Sequence, residues 1–96
     1  MQISIRYFTI LREITGKKEE KLSYSENQKI TIKIVLKTLS DKYGKPFVEY
    51  MFDSNGQIKS FLQLFINGTN TTNLKGTKTT LQDEDVLAIL PPIGGG

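Results

Sequence analysis

Residues 2–7, Gln-Ile-Ser-Ile-Arg-Tyr, alternate polar and apolar, which puts Ile3, Ile5 and Tyr7 on one face. A period of two predicts a strand. Thr9 then precedes ILREITG, where the threonine is placed to cap a short helix and Gly16 to end it in the left-handed conformation. KKEEKLSYS, residues 17–25, predicts a second strand, at a sheet edge because of its charges. A strand, a short connection and a returning strand predict an antiparallel pair. The period then changes. In TIKIVLKTLSDKYG, Ile32, Val35, Leu36, Leu39 and Tyr43 recur at i, i+3, i+4, i+7 and i+11, the apolar stripe of an amphipathic helix. Thr31 stands at its N-cap, Gly44 just past its end and Pro46 beyond. Lys33, Lys37, Asp41 and Lys42 cover the opposite side.

Phe47 to Asn55 has no clear period and is expected to form a helical turn followed by a loop at Asp-Ser-Asn-Gly. FLQLFING, residues 61–68, predicts a strong strand closed by the turn dipeptide Asn67-Gly68. Thr69 to Thr80 is polar, with Leu74 its only large apolar residue, and predicts a loop with a very short edge strand. Asp83-Glu84-Asp85 predicts a turn and Val86 to Leu90 a final strand, whose pairing Pro91 and Pro92 end for want of backbone donors. The order ββ, helix, ββ predicts an α+β domain, a mixed four- to five-stranded sheet with one main helix on one face. A chain of 96 residues builds one core and not two. The domain is expected to span residues 1–92, with 93–96 a flexible C-terminal tail.

A single helical layer leaves one sheet face open to water, and such a face ordinarily carries polar residues. Here the alternation is poor. With Leu62, Leu64 and Ile66 turned to the helix, Phe61 and Phe65 point outwards; with Leu87 and Ile89 inwards, Val86, Ala88 and Leu90 do not. Phe8 joins the outward set by parity with Arg6. An exposed apolar patch of this kind is a candidate docking surface. Two plainer alternatives stay open: the 47–57 loop covers it, or these central strands are buried on both sides.

Composition removes several kinds of chemistry. The sequence has neither cysteine nor histidine, which excludes a disulfide framework, zinc ligation by Cys or His, and Ser-His or Cys-His catalysis. The 13 Lys and Arg against 10 Asp and Glu give +3. These charges are scattered as solvated faces, with Glu19 and Glu20 interrupting Lys17, Lys18 and Lys21, so nucleic acid is not the expected partner. No run of about 18 apolar residues is present, so no membrane span is expected. Nor does MQISIRYF have the basic-then-apolar layout of a signal peptide, and the expected location is the cytoplasm.

The sequence ends PPIGGG, a stiff pair of prolines followed by three residues without side chains. A frayed end is the bland explanation. Together with RYFTILREITG, TIKIVLKTLSDKY, LFING, LKGTKTTLQDED and AILPPIGGG, however, it resembles the ubiquitin-like (β-grasp) sulfur carriers and modifiers. That family includes the small subunit of molybdopterin synthase (MoaD), the thiamine sulfur carrier (ThiS) and the ubiquitin-related modifier. The resemblance covers nearly the whole chain, and the terminal pattern is its most specific part. One departure is visible: the turn before the last strand usually reads Asp-Gly-Asp, and Glu84 stands at the glycine. The expectation is a slightly rebuilt turn.

What the resemblance implies is a protein without catalytic groups of its own and without a bound cofactor. The carboxylate of Gly96 would attack the α-phosphate of ATP inside an E1-like (MoeB/ThiF-type) adenylating enzyme, which supplies ATP and Mg. The acyl-adenylate would become a thiocarboxylate for molybdenum cofactor biosynthesis or tRNA thiolation, or be captured by a lysine of a target protein. Gly95, Gly94 and Ile93 would thread the enzyme's channel, and Pro92 and Pro91 would keep the tail from pairing back. Ile93 to Gly96 fully extended reach about 14 Å at roughly 3.5 Å per residue. Phe8, Phe61, Phe65, Val86, Ala88 and Leu90 would form the docking patch. The molybdopterin synthase large subunit is a further partner implied in this way. Three functions compete: sulfur carrier, protein modifier, and a passive binding module with an incidental tail.

Overall fold

The computed structural model describes residues 1–91. Its elements are β1 (Gln2–Tyr7), α1 (Ile10–Thr15), β2 (Glu19–Ser23), α2 (Ile32–Tyr43), α3 (Lys45–Met51), β3 (Gln63–Ile66), β4 (Thr69–Asn70) and β5 (Val86–Leu90). Two short 3-10 turns, Thr71–Asn73 and Gly76–Lys78, lie between β4 and β5. The five strands form one sheet in the order β2-β1-β5-β3-β4. β1 pairs antiparallel with β2 and parallel with β5, and β3 pairs antiparallel with β5 and β4. The sheet is therefore mixed, and β2 is an edge strand, as its charges predict.

Alternation sets one buried face. Ile3 lies opposite Leu22, Ile5 opposite Leu87, and Tyr7 and Leu64 flank Ile89. Against them α2 lays Ile32, Val35, Leu36 and Leu39, all buried. The Thr31 side chain accepts a hydrogen bond from the Ile34 amide at 3.4 Å, so the expected N-cap forms. Gly44 ends α2 at φ 73°, and α3 starts at once with Pro46 in its first turn, where a missing amide hydrogen costs nothing. α3 is longer than the single turn expected. Its Phe47 and Met51 are fully buried in the same core as α2. The segment after it turns back through Asp53, whose Oδ1 accepts from the amides of Asn55 and Gln57. Residues 47–57 thus serve the helix side of the sheet and do not cover the open face.

Three further expectations are corrected. β3 begins at Gln63, so Phe61 sits in the turn before it and not in the strand. Glu84 adopts a left-handed backbone at φ 70°, the region that favours glycine, so the turn holds a glycine-like shape where a rebuilt one was expected. Its amide donates to the Gln2 carbonyl at 2.8 Å, a bond that holds the turn in that shape. Thr9 precedes α1 but makes no side-chain cap. Its backbone is at φ 47°, ψ −116°, inside a turn closed by the Leu11 amide on the Phe8 carbonyl at 3.1 Å. A capping hydroxyl needs extended backbone to face the helix amides, and a turn of this shape favours glycine instead.

Thr9→Gly is expected to stabilise the fold. Relief of strain of about 1–3 kcal/mol exceeds the extra unfolded-state entropy of glycine, about 0.5–1 kcal/mol. Thermal unfolding of the variant should rise by about 4–8 °C for a net gain near 1 kcal/mol. An unchanged or lower midpoint would show that Thr9 carries no strain.

Candidate functional site

Because β5 runs parallel to β1, both strands finish at the same end of the sheet, where Ile89 stands beside Tyr7. β3 runs the other way and starts there, with Gln63 opposite Leu90. The exit of the last strand is thus framed by Phe8 and α1 on one side and by the approach to β3 on the other. Pro91 is half-buried at this exit. Pro92, Ile93, Gly94, Gly95 and Gly96 lie outside the described residues.

The open face carries the other parity of each strand. Val86, Ala88 and Leu90 of β5 and Phe65 of β3 are half-buried there, with Ala88 between Arg6 and Phe65. Towards β2 the same face turns polar: Ser4 and Arg6 stand opposite Lys21 and Glu19. The surface is an apolar stripe with a charged margin. At the exit end it is bounded by two aromatic rings, each with a cation near it. The Arg12 guanidinium lies 5.4 Å from the centre of the Phe8 ring. Lys59 lies 5.9 Å from the centre of Phe61, which is 43% exposed. Arg12 also donates through Nε to the Tyr7 carbonyl at 2.9 Å, and Lys59 through Nζ to the Glu49 carbonyl at 2.6 Å. Both cations are held in place by the backbone as well as by the rings. Of the six residues of the sequence-based patch, Phe65, Val86, Ala88 and Leu90 lie on the strands with the outward parity, whereas Phe8 follows β1 and Phe61 precedes β3.

Sequence reasoning missed Glu20. It stands opposite Ile5 in the register, so its side chain points to the core face, where it is 4% exposed. Oε1 accepts from the Tyr7 hydroxyl at 2.7 Å and the Tyr43 hydroxyl at 2.6 Å. Oε2 accepts from Lys17 at 3.3 Å and from Lys42. A lone buried carboxylate would be costly; four donors, two of them charged, offset that. Burial raises the carboxyl pKa, but hydrogen bonds from Lys42, Tyr43, Tyr7 and Lys17 outweigh it and lower it to about 2. Burial first, then the anionic Glu20, pushes both phenols above their usual range, so they remain donors. Two signals were available: Glu20 shares the parity of Leu22, and Tyr7 and Tyr43 each bring a hydroxyl into the core that needs a partner.

A five-stranded mixed sheet gripping one long helix, with an apolar open face beside the exit of its last strand, defines a ubiquitin-like β-grasp protein. The chain belongs to the ThiS family, whose model matches residues 5–96. It is 28% identical to small archaeal modifier protein 3 of Haloferax volcanii over the full length of both chains. A protein of Archaeoglobus fulgidus, provisionally named a sulfur carrier protein, is 29% identical over 69 residues, 72% of this chain and 77% of that one. The solution structure of small archaeal modifier protein 1 from Methanosarcina acetivorans superposes with a TM-score of 0.80 at 32% identity, covering 99% of this chain and 96% of that one. The protein is a ubiquitin-like sulfur carrier or modifier. Among the described residues, no helix is long and apolar enough to cross a membrane.

Glu20 makes stability depend on pH. Its folded carboxyl titrates near 2, below the value near 4.5 of a free glutamate. The stabilisation is therefore complete above about pH 5 and is lost as pH falls through 4 towards 2. Urea unfolding between pH 7 and 2.5 should show this decline, and in Glu20→Gln the decline should be smaller from a lower starting stability. An equally steep decline in that variant would assign the acid sensitivity elsewhere.

Proposed function

We propose that the protein is a sulfur carrier that works through the carboxyl group of Gly96. The observation that carries this reading is the family match running through to residue 96, on a fold whose last strand leaves the sheet beside an apolar face. An α-carboxyl group has a pKa of about 3.5 and is an ionised oxygen nucleophile at neutral pH without further help. Inside an adenylating partner it attacks the α-phosphorus of ATP, and the bond to the β-phosphate breaks, releasing pyrophosphate. A persulfide sulfur of the partner then displaces AMP to give an acyl disulfide, and a second thiol of the partner cleaves its S–S bond, forming a disulfide on the partner and leaving a thiocarboxylate on Gly96. With no cysteine in the chain, the sulfur has no side chain to occupy as a persulfide. Magnesium-bound ATP and the neutralisation of its phosphates belong to the partner.

The apolar stripe Phe65, Val86, Ala88 and Leu90, with Phe8 and Phe61 at the ends of the neighbouring strands, is the surface on which the adenylating enzyme docks. A larger synthase subunit that accepts the sulfur would use the same surface in turn. The second reading, conjugation of Gly96 to lysines of target proteins, is favoured by the two modifier proteins among the relatives. Both readings share the adenylation step.

Intact mass of the protein isolated from its host separates them. Sulfur in place of oxygen at the terminus is expected for the carrier. A ladder of larger species that vanishes when Gly96 is deleted supports the modifier. Deleting Gly95 and Gly96 should abolish pyrophosphate exchange with the adenylating enzyme and leave thermal stability unchanged, because a glycine tail buries no side chain. Retained exchange would make the tail incidental and the protein a passive binding module. Phe65→Asp or Leu90→Asp should weaken docking at least ten-fold, a loss of about 1.4 kcal/mol or more; unchanged affinity would remove the open face as the docking surface.

A further inference from the structure

On the helix side of the sheet, opposite the open face, a groove of about 610 Å³ runs between α2, the segment 52–58 and the second 3-10 turn. Its floor is apolar. Leu36 of α2 lies there with Phe52 and Ile58, which form an isolated antiparallel bridge to each other. Its walls are basic. Lys33 and Lys37, one helical turn apart, line the α2 side, and Lys78 lines the other. Asp41 is the one carboxylate in the lining, and it is paired with Lys37 at 3.5 Å. Among the described residues Lys33 and Lys78 are in no ion pair. Two lysines without an ion-pair partner therefore line a groove that has apolar side chains at its base.

We propose that this groove binds an acidic segment of a partner protein, an extended stretch with one or two aliphatic side chains flanked by carboxylates. Charge complementarity selects the flanks, since Lys33 on α2 and Lys78 on the second 3-10 turn each offer a compact cation to a carboxylate. The floor selects the aliphatic centre, as the half-buried Phe52 and Ile58 offer apolar surface over the buried Leu36. Single-stranded nucleic acid is the poorer fit. Its recognition without sequence preference uses aromatic platforms on which successive bases stack, and the groove has one partly buried phenylalanine. The groove and the open face lie on opposite sides of the sheet, so a partner can hold the groove while the tail is engaged elsewhere. This inference does not depend on what happens at Gly96.

The test is a titration of the isotope-labelled full chain with the acetylated, amidated peptide Glu-Asp-Ile-Val-Asp-Glu, followed by amide chemical shifts. Shifts are expected at residues 33–41, 52–58 and 76–78, with residues 63–66 and 86–90 unmoved. Lys33→Glu combined with Lys78→Glu should weaken binding about ten-fold or more, the milder pair of Lys→Gln changes should weaken it less, and Phe65→Asp should leave it unchanged. The idea is overturned by an absence of shifts at millimolar peptide, or by shifts centred on the open face. Equal shifts with Lys-Lys-Ile-Val-Lys-Lys would also overturn it. So would a uridine dodecamer that moves the groove amides more than the acidic peptide does, which would make the groove a phosphate site.

Discussion

The parallel pairing of β1 with β5 is the constraint on which the rest of the structure depends. Parallel neighbours cannot be joined by a tight turn, so the chain between them must cross over the sheet, and α2 is the body of that crossover. The pairing buries Ile3, Ile5, Tyr7, Leu87 and Ile89 with almost no exposure, under the apolar stripe of α2. It also fixes the direction in which the chain leaves the sheet. Had β5 run the other way, its end would lie far from Phe8 and from the start of β3. The site at the exit is therefore a consequence of strand direction in the centre of the core.

Glu20 adds a polar counterpart to that packing. It lies on an edge strand, where a charged residue is expected to face water, yet the register with Ile5 turns it inward. Its four donors come from β1, the β2 approach and the end of α2, which ties the edge strand and the helix terminus to the strand that leads into the exit. The aromatic contacts of Tyr43 with Tyr7 and Phe47 continue this link into α3. Parity with Leu22 made the burial of Glu20 legible. The identity of its partners was not, because Lys17 and Lys42 meet only when β2 and α2 are packed together, 25 residues apart in sequence.

The two faces of the molecule divide its surface chemistry. The open face is apolar where β5 and β3 meet and charged towards β2, whereas the helix side carries a basic groove over an apolar floor. The sheet separates the two, and the segment 47–57 lies on the helix side. Its inward residues Phe47 and Met51 have a helical spacing of four and pack with α2, which leaves the stripe on the other face uncovered.

Periodicity alone determined the α+β architecture, the two long elements β1 and α2, their buried residues and the chemical simplicity of the chain, because those depend on side-chain spacing and residue type. The family pattern added the expectation for the terminal glycines. Only the tertiary structure decided that Thr9 sits in a turn instead of capping a helix, that Glu84 takes a glycine-like conformation, that Phe61 lies outside its strand and which four donors surround Glu20. Each of these is set by contacts with residues distant in sequence but adjacent in space, or by the geometry of a closed turn. Local propensity cannot register such contacts, since a bond such as that of the Glu84 amide to the Gln2 carbonyl joins residues far apart in the chain.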